Sequence, residues 1–196
     1  MKARYTSTAA ALGEALRHAV LRSGPSALAA LHRDAAGDET LTGDDASTQV
    51  ARIRRRMDQL TPVQQALLIV SYAPRDLTCS CRRPCCAGHY ANPEWAAARA
   101  LLVVHTAALF PQQALHLRLR EALVANLLTR TPETQVSLAA RCGAHRQTVA
   151  AHTAILTAAL LGTRTKGGEF DHAFGRIDAL LREAAIVVDE VSEQAA

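Results

Sequence analysis

Aromatic residues are scarce in this chain: three Phe, three Tyr and one Trp make up 4% of its 196 residues. Large rings therefore cannot fill the core, and the 49% hydrophobic content rests mainly on Ala, Leu and Val. Stretches that alternate polar and apolar residues are also missing, so no strand pattern stands out. No run of about 18 uncharged apolar residues occurs, which excludes a membrane-spanning helix. Glu14, Arg17 and His18 interrupt the opening apolar stretch. A secretory leader is therefore not expected, and the expected compartment is the cytoplasm, where thiols stay reduced. Paired carboxylates, a nucleophile–base arrangement and an H-E-x-x-H helix are absent as well, so no enzyme is expected.

What is present favours helix. Ala and Leu lose little rotamer freedom in that conformation. The expected fold is all-α, a helical bundle with a helix-turn-helix and a short Cys-rich loop. Residues 1–36 read as an N-terminal helical segment, 37–45 as a linker, and 46–196 as a helical DNA-binding domain. Breakers and caps divide the chain into helices at Tyr5–Arg22, Ser26–Arg33, Ala46–Gln59, Pro62–Ala73, Pro93–Leu109 and Gln112–Leu128. Thr61 and Asn92 are the expected N-caps, each followed by Pro at N1, where a missing N–H is harmless. After a glycine break at Gly167-Gly168, a last helix over Phe170–Val191 places Phe174, Ile177, Leu181, Ala184 and Val188 on one stripe. Residues 74–92 read as irregular.

The net charge of +4 is unevenly spread. Residues 1–50 carry five Lys/Arg against six Asp/Glu, 51–166 carry fifteen against five, and 167–196 carry two against seven. A basic middle of +10 between acidic ends suits a polyanionic partner. The run ARIRRRMD contains Arg52, Arg54, Arg55 and Arg56 and could contact phosphates, but adjacent positions cover several faces of a helix, and such a run is more often a solvated face.

The segment QVSLAARCGAHRQTVAAHTAIL, residues 135–156, has the pattern of a helix-turn-helix. Ala139 is the small residue where the second helix crosses the first. Gly143, four residues on, permits positive φ in the tight turn. Val149, six further on, locks the second helix inward, and Leu138 and Cys142 fill the remaining inward positions. The outward face of the second helix then presents His145, Arg146, Gln147, Thr148, Ala150 and Ala151. Arg can pair with guanine and Gln with adenine, while Ala permits close approach to thymine methyls. Thr148 is a candidate for phosphate contact. His152 stands where an apolar residue is usual. A tight helical hairpin of the core would carry the same glycine.

Four of the five cysteines, Cys79, Cys81, Cys85 and Cys86, fall within eight residues, with His89 just behind. In a reducing compartment this cluster reads as thiolate ligation of zinc, which takes four donors. The spacing C-x-C-x3-C-C-x2-H is tighter than paired C-x2-C. A redox-sensitive loop without metal and a pair of buried thiols beside unused ones are the alternatives. His105 and His116 lie among apolar helix residues and read as locally satisfied.

The order of these parts resembles the phage late-gene antitermination proteins of the Q type. An apolar helix ending in LLIVSYA precedes the Cys-rich stretch SYAPRDLTCSCRRPCCAGHY and then helices leading to a helix-turn-helix. The resemblance covers about Leu60–Leu160, although the cysteine spacing is compressed relative to the zinc-bearing members. It implies binding to double-stranded DNA near a late promoter and loading onto paused RNA polymerase. It also implies a DNA-reading role for Arg146 and Gln147 and a zinc module at the Cys loop. A structural nucleic-acid module, such as a small DNA-packaging subunit, is the competing reading, with a zinc or thiol enzyme as a third.

Overall fold

The computed structural model describes residues 5–22, 44–79, 87–110, 117–129 and 131–188. Among these, helices dominate, as the Ala- and Leu-rich composition predicts. They are α1 (Thr8–Arg22), α2 (Asp44–Met57), α3 (Pro62–Tyr72), α4 (Pro93–His105), α5 (Leu117–Leu127), α6 (Gln135–Cys142), α7 (Arg146–Leu160) and α8 (Glu169–Glu183). A 3-10 turn, Thr106–Leu109, continues α4. No helix among the described residues is long and apolar enough to cross a membrane.

Helix α3 is the centre of the bundle, packed by α1, α4 and α8. Its sequence explains the position. Ala66, Leu67, Leu68 and Val70 are buried, and Val63, Ile69 and Tyr72 are half-buried against the same core. Such a helix has almost no polar side to give to solvent. Its ends are closed locally. Thr61 accepts from the Gln64 N–H at 3.3 Å, and the Gln64 side chain accepts from the Thr61 N–H at 3.1 Å. This reciprocal pair satisfies two amides that a helix start leaves open. Asn92 caps α4 as expected, accepting from the Glu94 N–H at 3.0 Å.

The surrounding helices each bury one stripe. On α1 it is Ala11, Leu12, Ala15 and Leu16; on α2, Val50, Ile53 and Met57; on α8, Ala173, Ile177 and Leu181. The helix of the 1–36 segment thus joins the core formed by the rest. Fully burying one Leu is worth about 1.5–3 kcal/mol, against roughly 0–1 kcal/mol for an exposed ion pair. The stripes, not the charges, hold the bundle.

The structure corrects the sequence reading at four points. The stretch 74–92 is not wholly irregular, because β1 (Asp76–Thr78) and β2 (His89–Ala91) pair antiparallel, Leu77 opposite Tyr90. A second hairpin, β3 (Gly162–Thr163) with β4 (Lys166–Gly167), occupies the glycine break. Strands this short show no alternation for the eye to find. Helix α2 starts at Asp44, inside the expected linker 37–45. Finally, α8 stops at Glu183. Ala185 takes φ +52°, Ile186 and Val187 turn inward, and the Val188 N–H donates to the Tyr5 carbonyl at 3.0 Å. Val188, expected on the buried stripe, is exposed. The apolar run continues past the helix because Ile186 and Val187 enter the core beside Tyr5, not because the helix does. The expected helix Ser26–Arg33, the rest of the 37–45 linker and residues 112–116 of the sixth helix lie outside the described residues.

Two glycines make the second hairpin possible. A Cβ on Gly168 would stand 2.3 Å from the Gly162 N, and one on Gly162 would stand 2.4 Å from the Gly168 N. Backbone meets backbone here, so nothing flexible can yield. Gly168→Ala should therefore destabilise the chain by about 1–3 kcal/mol or more, read as a loss of Tm.

Asp178 ties α8 to the start of α1. It accepts from the Thr8 hydroxyl and, at 2.8 Å, from the Arg182 Nε. Burial pushes its carboxyl up, but these two donors outweigh burial and hold it below the ordinary Asp range. A depressed folded-state value means stability that is present above the unfolded value and lost as pH falls through the folded one. The Tm gap between the parent and Asp178→Asn should be full at neutral pH and close as pH drops below about 4. A gap independent of pH would show that the charge at Asp178 contributes nothing.

Candidate nucleic-acid interface

Helix α6 is held at its start by three neighbouring residues. Thr134 accepts from the Ser137 N–H at 3.2 Å. The Glu133 N–H donates to Asn126 Oδ1 at 2.6 Å, and Asn126 Nδ2 donates to the Glu133 carbonyl at 3.2 Å, which clamps the entry onto α5. The Glu133 carboxylate receives two Arg141 donors at 2.8 and 3.2 Å, and the Ser137 hydroxyl at 3.2 Å. The Arg141 hydrogen bonds are the main reason its carboxyl sits below the usual range.

Helix α6 ends at Gly143, which has φ +62° and ψ +33°. The Ala144 N–H closes back on the Ala139 carbonyl at 3.0 Å. Two residues later α7 begins with His145 as its N-cap: Nδ1 accepts from the Gln147 N–H at 3.3 Å. This capping role is not legible in the sequence, since His is not among the usual cap residues. Leu138, Val149, Leu156 and Leu160 are buried, and Ala139 and Cys142 pack half-buried against the same core. His152 is buried too, its ring stacked on Phe110 at 4.5 Å between centroids.

The outward face matches the sequence reading only in part. His145, Arg146, Gln147 and Ala151 are exposed, while Thr148 and Ala150 are half-buried. Arg146 has no ion pair or side-chain hydrogen bond among the described residues. Beyond the far end of α7, the turn of the second hairpin adds the exposed Arg164 and Lys166. The only sequence signal for these two was their charge beside glycines.

The Arg run on α2 divides. Arg52 donates to Gln49 Oε1 at 3.1 Å and to the Ala184 carbonyl at 2.9 Å, which holds α2 to the end of α8. Arg54 makes a two-pronged ion pair with Glu94 on α4. Arg55 is exposed and Arg56 half-buried. Two of the four guanidiniums are therefore tethers between helices. His105, expected to be satisfied locally, instead meets the Glu169 carboxylate of α8 at 3.0 Å, a partner 64 residues away in the chain. His116 lies outside the described residues.

Of the five expected metal donors, Cys81, Cys85 and Cys86 lie outside the described residues. Cys79 is half-buried and His89 exposed, at the neck of the first hairpin. The Cys79 N–H donates to the Gly88 carbonyl at 2.7 Å. Among the described residues, no three His, Cys, Asp or Glu side chains gather closely enough to hold a metal ion.

No protein-family model, curated protein or solved structure matches the chain.

A Cβ at Gly143 would meet nothing within 4 Å. The cost of substitution there is purely conformational, in contrast to Gly168. Gly143→Val should lose about 1 kcal/mol or more, and Gly143→Asn distinctly less, because Asn tolerates the left-handed region. Chemical denaturation of the pair checks this order. Equal losses would mean that φ at Gly143 is not what the turn requires.

Proposed function

We propose that this protein is a sequence-specific DNA-binding transcription regulator that reads base edges with the first turn of α7. Its sharpest form is a Q-like antiterminator acting on RNA polymerase. One observation carries the reading. The A-x3-G-x5-V spacing coincides with two helices joined through a left-handed glycine, and the free Arg146 and Gln147 stand exposed at the start of the second helix. Arg and Gln are the side chains that pair bidentately with guanine and adenine in the major groove. Backbone N–H groups at the same helix start favour a phosphate. Arg55, Arg164 and Lys166 are exposed cations suited to sequence-independent phosphate contact.

The same reading retains zinc at the Cys loop. Its four donors would be drawn from Cys79, Cys81, Cys85, Cys86 and His89, of which Cys79 and His89 stand at the neck of the first hairpin.

Selection from a random duplex library would define a site, and binding to it at several salt concentrations would test the residues. Arg146→Ala and Gln147→Ala should each cost roughly 1–3 kcal/mol of specific affinity and relax preference at one base pair. Stability should change by less than about 0.5 kcal/mol, since both side chains are exposed. Arg55→Ala, in contrast, should weaken all sequences alike and lower the salt slope by about one. If both α7 variants bind every sequence as the parent does, this helix does not read DNA.

A further inference from the structure

A cavity of about 660 Å³ lies among α1, α3, α4, α5 and the start of α6, and its charged lining is unbalanced. Arg17, Arg75, Arg99 and Arg141 face it, against one carboxylate, Glu133. Glu133 already holds Arg141. Among the described residues, no carboxylate forms an ion pair with Arg17, Arg75 or Arg99.

These three guanidiniums are positioned by neutral partners. Arg17 Nε donates to the Gly13 carbonyl at 3.1 Å. Arg75 and Arg99 both stack over Trp95, at 5.4 and 5.6 Å from the ring. The ring itself is held by a buried hydrogen bond from Trp95 Nε1 to the Val70 carbonyl at 3.1 Å. Stacking holds a guanidinium without using its N–H donors, which remain available for an anion. Arg99 Nε is buried and meets no acceptor among the described residues. A buried donor without a partner carries a desolvation cost that a bound acceptor would remove.

We propose that this cavity is a binding site for a small phosphorylated molecule, with Arg17, Arg75 and Arg99 holding the phosphate. Glu133 acts electrostatically on Arg75 as well as on Arg141, yet the described lining keeps an excess of cations, which matches a group with nearly two negative charges and three acceptor oxygens better than a carboxylate with one charge and two. The volume falls within the range of small-molecule sites. A duplex, whose major groove alone is about 12 Å across, is too broad to enter. The site is separate from the exposed face of α7 and does not depend on the proposed DNA reading. Because Glu133 precedes α6 and Arg141 lies in its last turn, an occupant would touch the helix pair.

Trp95 is the single tryptophan, so its fluorescence reports directly on the site. Inorganic phosphate and adenosine 5′-monophosphate should each change it saturably, and uncharged adenosine should not. Arg17→Gln and Arg99→Gln should weaken binding roughly tenfold or more, with helicity by circular dichroism unchanged. Arg146→Ala should bind phosphate as the parent does. If Arg99→Gln fails to fold, Arg17→Gln decides, since that side chain is exposed and bonded only to its own helix. No saturable response, or unaltered affinity in a folded Arg17→Gln, overturns the proposal. So does a response to a mixed-sequence duplex with none to the small phosphates, which would assign the cations to the nucleic-acid backbone.

Discussion

Helix α3 is surrounded by α1, α4 and α8, and that burial constrains the rest of the molecule. A helix covered on three sides must be apolar nearly all round and must satisfy its own ends. The Thr61–Gln64 capping box closes one end, and the Ala73 N–H to Ile69 carbonyl bond closes the other at 2.9 Å. The neighbouring helices are then free to be ordinary amphipathic ones with a single stripe. The small residues Ala11 and Ala15 on α1, Ala66 on α3 and Ala173 on α8 are fully or almost fully buried. They permit close helix approach in a core whose described residues include only three buried aromatics, Tyr5, Trp95 and Phe110.

The single tryptophan is placed by the same helix. Trp95 donates to the Val70 carbonyl in the last turn of α3, which fixes how α4 lies on it. That placement sets Arg75 and Arg99 over the ring and so shapes the charged cavity. The arginines as a group show why a net charge says little about function. Arg52, Arg54, Arg141 and Arg182 are joined to carbonyls or carboxylates of this chain, whereas Arg146 stands at the surface without such a partner among the described residues. Only the unpaired cations are candidates for binding a polyanion, and residue type alone does not tell them apart.

The α6–α7 pair gains its geometry from two sides. Gly143 sets the turn locally, and Leu138, Val149, Leu156 and Leu160 anchor both helices in the common core. The Glu133–Asn126 clamp orients α6 on α5. With the inward positions occupied, Arg146 and Gln147 have only solvent to face. The exposure on which the proposed DNA reading rests is thus a consequence of core packing elsewhere.

Sequence alone determined the helical class, the caps at Thr61 and Asn92, the glycine turn at Gly143 and most of the outward face of α7. Each depends on interactions within a few residues, where side-chain type and spacing suffice. It could not determine the two hairpins, whose strands of two or three residues carry no period. Nor could it foresee the end of α8, where Val187 leaves the helix to pair with Tyr5. His145 as a cap, His152 as a stacked core ring, and Arg52 and Arg54 as tethers were equally hidden. Those roles, and the cavity of arginines around Trp95, join residues distant in the chain or depend on local backbone geometry. Only the tertiary arrangement brings such partners within range, because a charge or a ring acts over a few ångströms of space and not along the sequence.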